Sequence, residues 1–278
     1  MISTLVVDTV AMAVSITHGE ESPARPAPHR ALFVSDVHLG TRRTEAWRLL
    51  QQLKAHPSER LVLVGDILDC TAWRKRGAVF SPSEVELALW LVATAAERQV
   101  IWVLGNHEHP LREAMGSTVM QTIKHNMPWL PIAHSYVHQA KDGRRLAVIH
   151  GDCLGHGSGR WQRLDYWGYQ ALVELERWSR RLGLPSPTLA VQRGRGGQQV
   201  IAAFHRDAAA WAQRHGFDGV ICGHIHSACL EHHGSVRVLN TGCWTHPPGT
   251  FLVETADGCW QLRDGHGHCL AQLGEGAS

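Results

Sequence analysis

The 278-residue chain is short of several things, and each shortage narrows its possible roles. It has only four lysines (Lys54, Lys75, Lys124 and Lys141), and its formal net charge is +2. So little excess charge argues against a dedicated nucleic-acid binder. No apolar run reaches the length needed to span a bilayer. Residues 1–17 are mildly like a secretion signal, yet a basic start is missing and Asp8 interrupts the apolar stretch. The seven cysteines are odd in number and contain no C-x-x-C pair, which fits reduced thiols better than a disulfide framework. Cytoplasmic residence is the expectation. Cys70 and Cys153 stand near polar motifs, although small buried hydrophobes are the simpler reading of both. No Ser, Cys or Lys falls in a convincing nucleophilic triad. Internal repeats and low-complexity tracts are also missing.

Histidine, by contrast, is plentiful at 20 residues. Five short blocks hold the informative ones: Asp36-x-His38, Gly65-Asp66, Gly105-Asn106-His107, His150-Gly151 and Gly223-His224-x-His226. Each directly follows a run of aliphatic and β-branched residues, at 31–34, 61–64, 100–104, 144–149 and 218–222. Such runs read as buried strands. Between the first three, residues 44–55 and 82–98 have helical spacing, the latter with Ser81 as cap and Pro82 in its first turn. Strand–helix alternation predicts an α/β fold, with the blocks gathered beyond the carboxyl ends of parallel strands.

The second half reads differently. Residues 131–138 and 144–149 flank an Asp142-Gly143 hairpin signal. Residues 228–240 and 249–263 predict antiparallel strands, the last pair turning at Asp257-Gly258. Trp161, Leu164, Trp167, Ala171, Leu175, Trp178 and Leu182 recur at steps of three or four, an amphipathic helix ended by Gly183 and Pro185. A Gly/Arg-rich turn from Arg193 to Gly197 then leads into a helix over 198–214. The expected organisation is a flexible segment 1–29, one domain 30–265 with a helical insertion 152–200 over the site, and a flexible tail 266–278.

Carboxylate, amide and imidazole donors without cysteine suit Mn, Fe or Zn. By elimination, Asp36, His38, Asp66 and His226 take one divalent ion, and Asp66, Asn106, His150 and His224 a second, with Asp66 bridging. Two such ions clamp the oxygens of a displacement at phosphorus. His107, next to Asn106, can act as general acid or stabilise phosphoryl oxygens.

The full series Asp36-x-His38, Gly65-Asp66-x-x-Asp69, Gly105-Asn106-His107-Glu108, His150-Gly151-Asp152 and Gly223-His224-x-His226 resembles the calcineurin-like metallophosphoesterase superfamily. The resemblance spans residues 31 to about 255, with every ligand position filled. It implies a four-layer αββα sandwich, two metal ions (Mn2+ first, Fe or Zn as alternatives) and phosphoester hydrolysis. Asp69 corresponds to an outer aspartate, a partner of His107 or a ligand.

A narrower resemblance joins Ser35 to Thr41, Gly65 to Asp69 with Trp73, Cys222 to His226 and Asn240 to Trp244 with bacterial UDP-2,3-diacylglucosamine diphosphatase-like proteins. It implies cleavage of a nucleoside-diphospho acyl sugar to UMP and lipid X, towards lipid A, with peripheral contact at the inner membrane. Two positions depart from that group. Its best-defined members have Gly-Asn-Arg-Asp where this chain has Gly105-Asn106-His107-Glu108, and an aspartate where this chain has Cys243. The alternative substrate is a soluble phosphate ester. Arg74, with Lys75 and Arg76, and Arg160, Arg163, Arg177, Arg180 and Arg181 of the insertion are candidate contacts for the substrate's phosphates or anionic head group.

Overall fold

The computed structural model describes residues 28–154 and 184–274, with Leu175, Trp178, Ser179 and Leu182 between them. Two sheets face each other. In the first, β1 (His29–Val34), β2 (Ser58–Val64), β3 (Gln99–Val103) and β4 (Ile132–Ala133) run parallel. Antiparallel β10 (Thr250–Glu254), β11 (Trp260–Asp264) and β12 (Cys269–Leu273) complete the order β12-β11-β10-β1-β2-β3-β4. The second sheet has the order β5-β6-β7-β9-β8, from Tyr136–Gln139, Arg145–Val148, Gly219–Cys222, Val236–Asn240 and Cys229–His233. Its central β6, β7 and β9 are parallel, and the outer pairings are antiparallel.

The central strands are apolar on both faces because both faces are covered. Leu32, Val34, Leu61 and Leu63 point outward to pack with Leu49, Leu50 and Leu53 of α1 (Ala46–Ala55) and Leu87 of α3 (Pro82–Glu97). Their neighbours Ala31, Phe33, Val62 and Val64 point the other way and meet Val148, Ile221 and Leu239 of the second sheet. On that sheet's far face, Val220, Cys222 and Val238 pack against Phe204, Ala208 and Ala212 of α7 (Arg195–Arg214). Three separate clusters define four layers, helix–sheet–sheet–helix. Phe33, Leu61 and Val62 are at most 1% exposed, and burying each such side chain stabilises by about 1.5–3 kcal/mol.

Shorter helices lie at the active edge: α2 (Cys70–Arg76), α4 (His109–Glu113) and α5 (Thr118–Asn126) after β2 and β3, and α6 (Pro187–Arg193) before α7. The cap of α3 also positions the first motif loop. Ser81 and Glu84 form a reciprocal capping box. Glu84 Oε1 further accepts the N–H groups of Gly40, at 3.3 Å, and Arg42, at 3.2 Å.

Three expectations need correction. The stretch 131–138 is not one strand: β4 joins the first sheet and β5 the second, so the chain changes sheet across His134 and Ser135. Arg193 to Gly197 is not an extended turn, since only Gly194 separates α6 from α7. That tight junction needs glycine at 197, where a Cβ would sit 2.1 Å from the Val191 carbonyl oxygen. The tail is not flexible from 266. Asp264 accepts the N–H groups of His266 and His268, both at 2.9 Å, turning the chain so that β12 pairs with β11.

Most of the expected insertion, including Arg160, Arg163, Arg177, Arg180, Arg181, Trp161 and Trp167, lies outside the described residues, as do residues 1–27. Leu175, Trp178 and Leu182 are described and exposed.

Candidate metal centre

The motif residues start where the parallel strands stop. Asp36 and His38 follow β1, Asp66 follows β2 and Asn106 follows β3, while His150 follows β6 and His224 and His226 follow β7. Parallel strands place all these ends on one side, so residues far apart in sequence share a small volume. The loops after β1 and β2 run side by side, with Asp36 N–H donating to the Gly65 carbonyl at 3.0 Å and His38 N–H to the Asp66 carbonyl at 2.9 Å.

Backbone conformation marks the site independently. Six described non-glycine residues have positive φ: Asp36, His38, Arg42, Asp66, His224 and His226. Five of these are expected ligands. A left-handed conformation costs a side-chain-bearing residue on the order of 1–3 kcal/mol, and such strain concentrates at functional positions.

Each carboxylate is anchored by one oxygen and presents the other. Asp36 Oδ2 accepts the Ser35 hydroxyl and, at 2.9 Å, the His224 N–H. Its Oδ1 lies 3.0 Å from His226 Nε2 and 3.9 Å from His38 Nε2. Asp66 Oδ1 accepts the His107 N–H at 2.8 Å. Its Oδ2 lies 3.2 Å from His150 Nε2, 3.8 Å from His38 Nε2 and 4.0 Å from His107 Nε2. Asn106 Oδ1 is 3.1 Å from His150 Nε2, and the His150 and His224 ring centroids are 5.2 Å apart. The seven expected donors therefore converge, with Asp66 between the two groups.

Partners fix which ring nitrogen faces inward. His150 Nδ1 donates to the Val64 carbonyl at 3.0 Å, which leaves Nε2 for the site. Asp69 does the same for two rings, through Oδ2 at 3.4 Å from His38 Nδ1 and Oδ1 at 2.8 Å from His107 Nδ1. Asp69 Oδ1 also accepts the Ala72 N–H and so caps α2.

Two buried atoms aimed into the cluster, Asp36 Oδ1 and His38 Nε2, find no hydrogen-bond partner among the described residues. Orphaned buried polar atoms are costly. Here, one oxygen and one imidazole nitrogen with open lone pairs fit the donor demands of a divalent cation. The set Asp36, His38 and His226 and the set Asp36, Asp66 and His150 each bring donor atoms within 4.8 Å of one another.

Electrostatics agree with this fit. Burial alone would raise the Asp36 and Asp66 carboxyls, but His226 beside Asp36 and His150 beside Asp66 hold both low, as carboxylates. Burial and the neighbouring His150 lower the His224 ring to about 4, which keeps it neutral. Burial works against a charged His107, yet Asp69 and Asp66 raise its pKa overall.

Sequence reasoning missed two organisers. Glu108, read from the sequence as part of the third motif block but given no role, is wholly buried. Its carboxylate accepts N–H groups from Gly105 at 2.6 Å, Ile67 at 2.8 Å, Leu68 at 3.0 Å, Asp66 at 3.1 Å and the Trp102 indole at 3.2 Å. Arg112 binds Asp152 through two N–H groups, at 2.6 and 3.0 Å, and donates to the Leu104 carbonyl, tying the third block to the fourth. Arg112 lies within α4, away from any strand end, so motif spacing held no signal for it. Among the described residues, Cys70 and Cys153 join no donor set; Cys70 is buried, and Cys153 proves exposed. All seven thiols are free. Arg74 is exposed in the last turn of α2.

This geometry defines a class of protein, and sequence comparison agrees. The family model for calcineurin-like phosphoesterases matches residues 29–228. The chain belongs to that family, and it is a metal-dependent hydrolase of phosphoesters. No curated protein matches it significantly. Among solved structures, a phosphoesterase from E. coli, Yfce, is 19% identical, with 87% of this chain and 97% of that one covered and a TM-score of 0.47. A Vps29 mutant from Entamoeba histolytica is 13% identical over 87% and 97%, with a TM-score of 0.44. An archaeal phosphodiesterase is 13% identical over 84% and 98%, with a TM-score of 0.40. No described helix is long and apolar enough to cross a membrane.

Proposed function

We propose that Asp36, His38, Asp66 and His226 hold one divalent ion and Asp66, Asn106, His150 and His224 a second, for hydrolysis of a phosphodiester or pyrophosphate bond. The observation that carries this reading is the position of Asp66 Oδ2, 3.2 Å from His150 and 3.8 Å from His38, one ring from each group. Mn2+ is the ion proposed first, since hard oxygens share the set with imidazoles; Fe and Zn suit the same donors. When bound, such a pair lowers the pKa of water and clamps the attacking and leaving oxygens at phosphorus.

The protein's own part is positioning and proton transfer. Asp69 orients His107 and favours its protonated form, so His107 donates a proton to the leaving oxygen as general acid. Asp69 also steadies His38. Arg74, Arg160 and Arg163 are assigned to the substrate's phosphate groups, where guanidinium forks suit paired oxygens.

For the substrate we propose a nucleoside-diphospho acyl sugar, UDP-2,3-diacylglucosamine, cleaved to UMP and lipid X. Support comes from the segments around Ser35–Thr41, Gly65–Asp69 and Asn240–Trp244, which resemble that group. Such a substrate would draw the protein to the inner leaflet as a peripheral visitor. The test is to incubate Mn-loaded protein with UDP-2,3-diacylglucosamine and, separately, with bis-p-nitrophenyl phosphate. UMP release from the first supports the acyl-sugar substrate. Turnover of the artificial diester alone rejects it in favour of a soluble phosphate ester. Asp66→Ala should abolish both activities, and retained turnover would refute the bridging role.

A further inference from the structure

A second donor cluster lies beside the proposed centre and shares one of its rings. His226, Cys243 and His246 each bring a donor atom within 4.8 Å of the other two. Cys243 Sγ lies 3.8 Å from His246 Nδ1. With Zn–S near 2.3 Å and Zn–N near 2.0 Å, tetrahedral geometry sets neighbouring S and N ligands about 3.5 Å apart. The pair already stands close to that spacing.

The loop bearing these residues is firmly built. Between Cys243 and His246 the fully buried Trp244 locks into the core, and its N–H donates to the Asp36 carbonyl at 3.1 Å. Gly249 N–H donates to the His246 carbonyl at 3.0 Å and Thr250 N–H to the Cys243 carbonyl at 3.3 Å. The Thr245 hydroxyl donates to Cys243 Sγ at 3.5 Å and lies 3.1 Å from His246 Nδ1. Cys243 itself is buried. One sulfur and two imidazoles make a softer set than the carboxylate-rich centre next door, so the two clusters prefer different ions.

We propose that Cys243, His246 and His226 form a third, thiophilic cation site, for Zn2+ or Cd2+, whose filling competes with Asp36 and His38 for the His226 ring. The binding claim stands on this cluster alone. Its catalytic consequence, inhibition by excess zinc or cadmium, rests on the proposed role of His226.

The experiment uses full-length, Mn-loaded protein carrying Cys153→Ser and Cys269→Ser, which removes the two exposed thiols. Titration with Cd2+ should raise a cadmium–thiolate charge-transfer band that saturates at one equivalent. Cys243→Ser should abolish the band, and His246→Gln should weaken Cd2+ binding at least tenfold. A band that never appears, or that survives Cys243→Ser, overturns the site. Should Cys243→Ser fail to fold by circular dichroism, unchanged affinity in His246→Gln overturns it instead. Turnover of bis-p-nitrophenyl phosphate should fall as the band grows. Binding without that loss refutes competition for His226. If neither the diester nor UDP-2,3-diacylglucosamine is turned over, the hydrolase reading fails while the absorbance test still decides the site.

Discussion

The Glu108 carboxylate accepts the backbone N–H of Asp66 at 3.1 Å, so the residue central to the proposed metal pair is held from behind by a buried acid. Burial and the Asp66 charge push the Glu108 carboxyl up to about 7, opposed by the N–H donors converging on it. Glu108→Gln keeps the shape but turns an amide N–H₂ towards groups that only donate. The expected result is a loss of about 2–3 kcal/mol in urea unfolding. Mn2+ affinity should also fall roughly 10–100-fold, as for other supports of metal ligands. Wild-type values in both assays would remove Glu108 from this role.

Asp69 holds two rings at once, so its loss should be felt in turnover more than in stability. Asp69→Asn is expected to lower kcat roughly 10–100-fold. The sign of its pH effect follows from the charge. Burial depresses the His107 pKa while Asp69 and Asp66 raise it, so removing the Asp69 charge brings it down. A general acid works when protonated, and activity is lost as pH climbs through its pKa. The alkaline limb of the kcat–pH profile should therefore move to lower pH. An unshifted limb would assign the acid to another group.

Without metal, the Asp66–His150 pair links stability to pH. Burial opposes the His150 charge, but Asp66 outweighs it and lifts the ring from 6.5 to about 9. A raised folded-state pKa contributes stability that is complete below 6.5 and disappears as pH rises through about 9. Chelator-treated protein should thus unfold at lower urea concentration at pH 9 than at pH 6. His150→Gln should flatten that difference. Because ligating imidazoles must be neutral, loading Mn2+ near pH 7 should release protons into a weakly buffered solution.

Gly105 illustrates how close the motif loops approach. A Cβ there would lie 2.0 Å from Asp66 Oδ1 and 2.4 Å from the Asp66 nitrogen. Backbone cannot yield as a flexible side-chain tip would. Gly105→Ala should displace Asp66 and reduce Mn2+ binding, measured by calorimetry, at least tenfold, with secondary structure retained. Full metal binding in that variant would show that the loops tolerate separation.

Much of this was legible in the chain itself. The runs ending at Asp36, Asp66, Asn106, His150 and His224 are strands because uninterrupted β-branched and aliphatic residues bury both faces, a local and strong signal. Alternation within Ala31 to Val34 sorts side chains between two clusters, but nothing in it says which cluster lies between the sheets. Helix ends proved harder. The cap at Ser81 is a local motif and was readable, whereas the start of α7 depends on Gly197 clearing the Val191 carbonyl. The strand Cys269–Leu273 is short and offers little pattern, and pairing with β11 defines it.

By itself, the order of residues settled which donors are present, which strand end carries each, and hence the class of chemistry, because those features depend on local pattern and on the bonding capacity of side chains. Only the tertiary structure decided that Asp69 holds His38 as well as His107, that Glu108 braces the Asp66 backbone, and that Cys243 and His246 meet His226. Each of those depends on how loops from separate strands pack against one another, where a shift of an ångström makes or breaks a contact and no spacing along the chain records it.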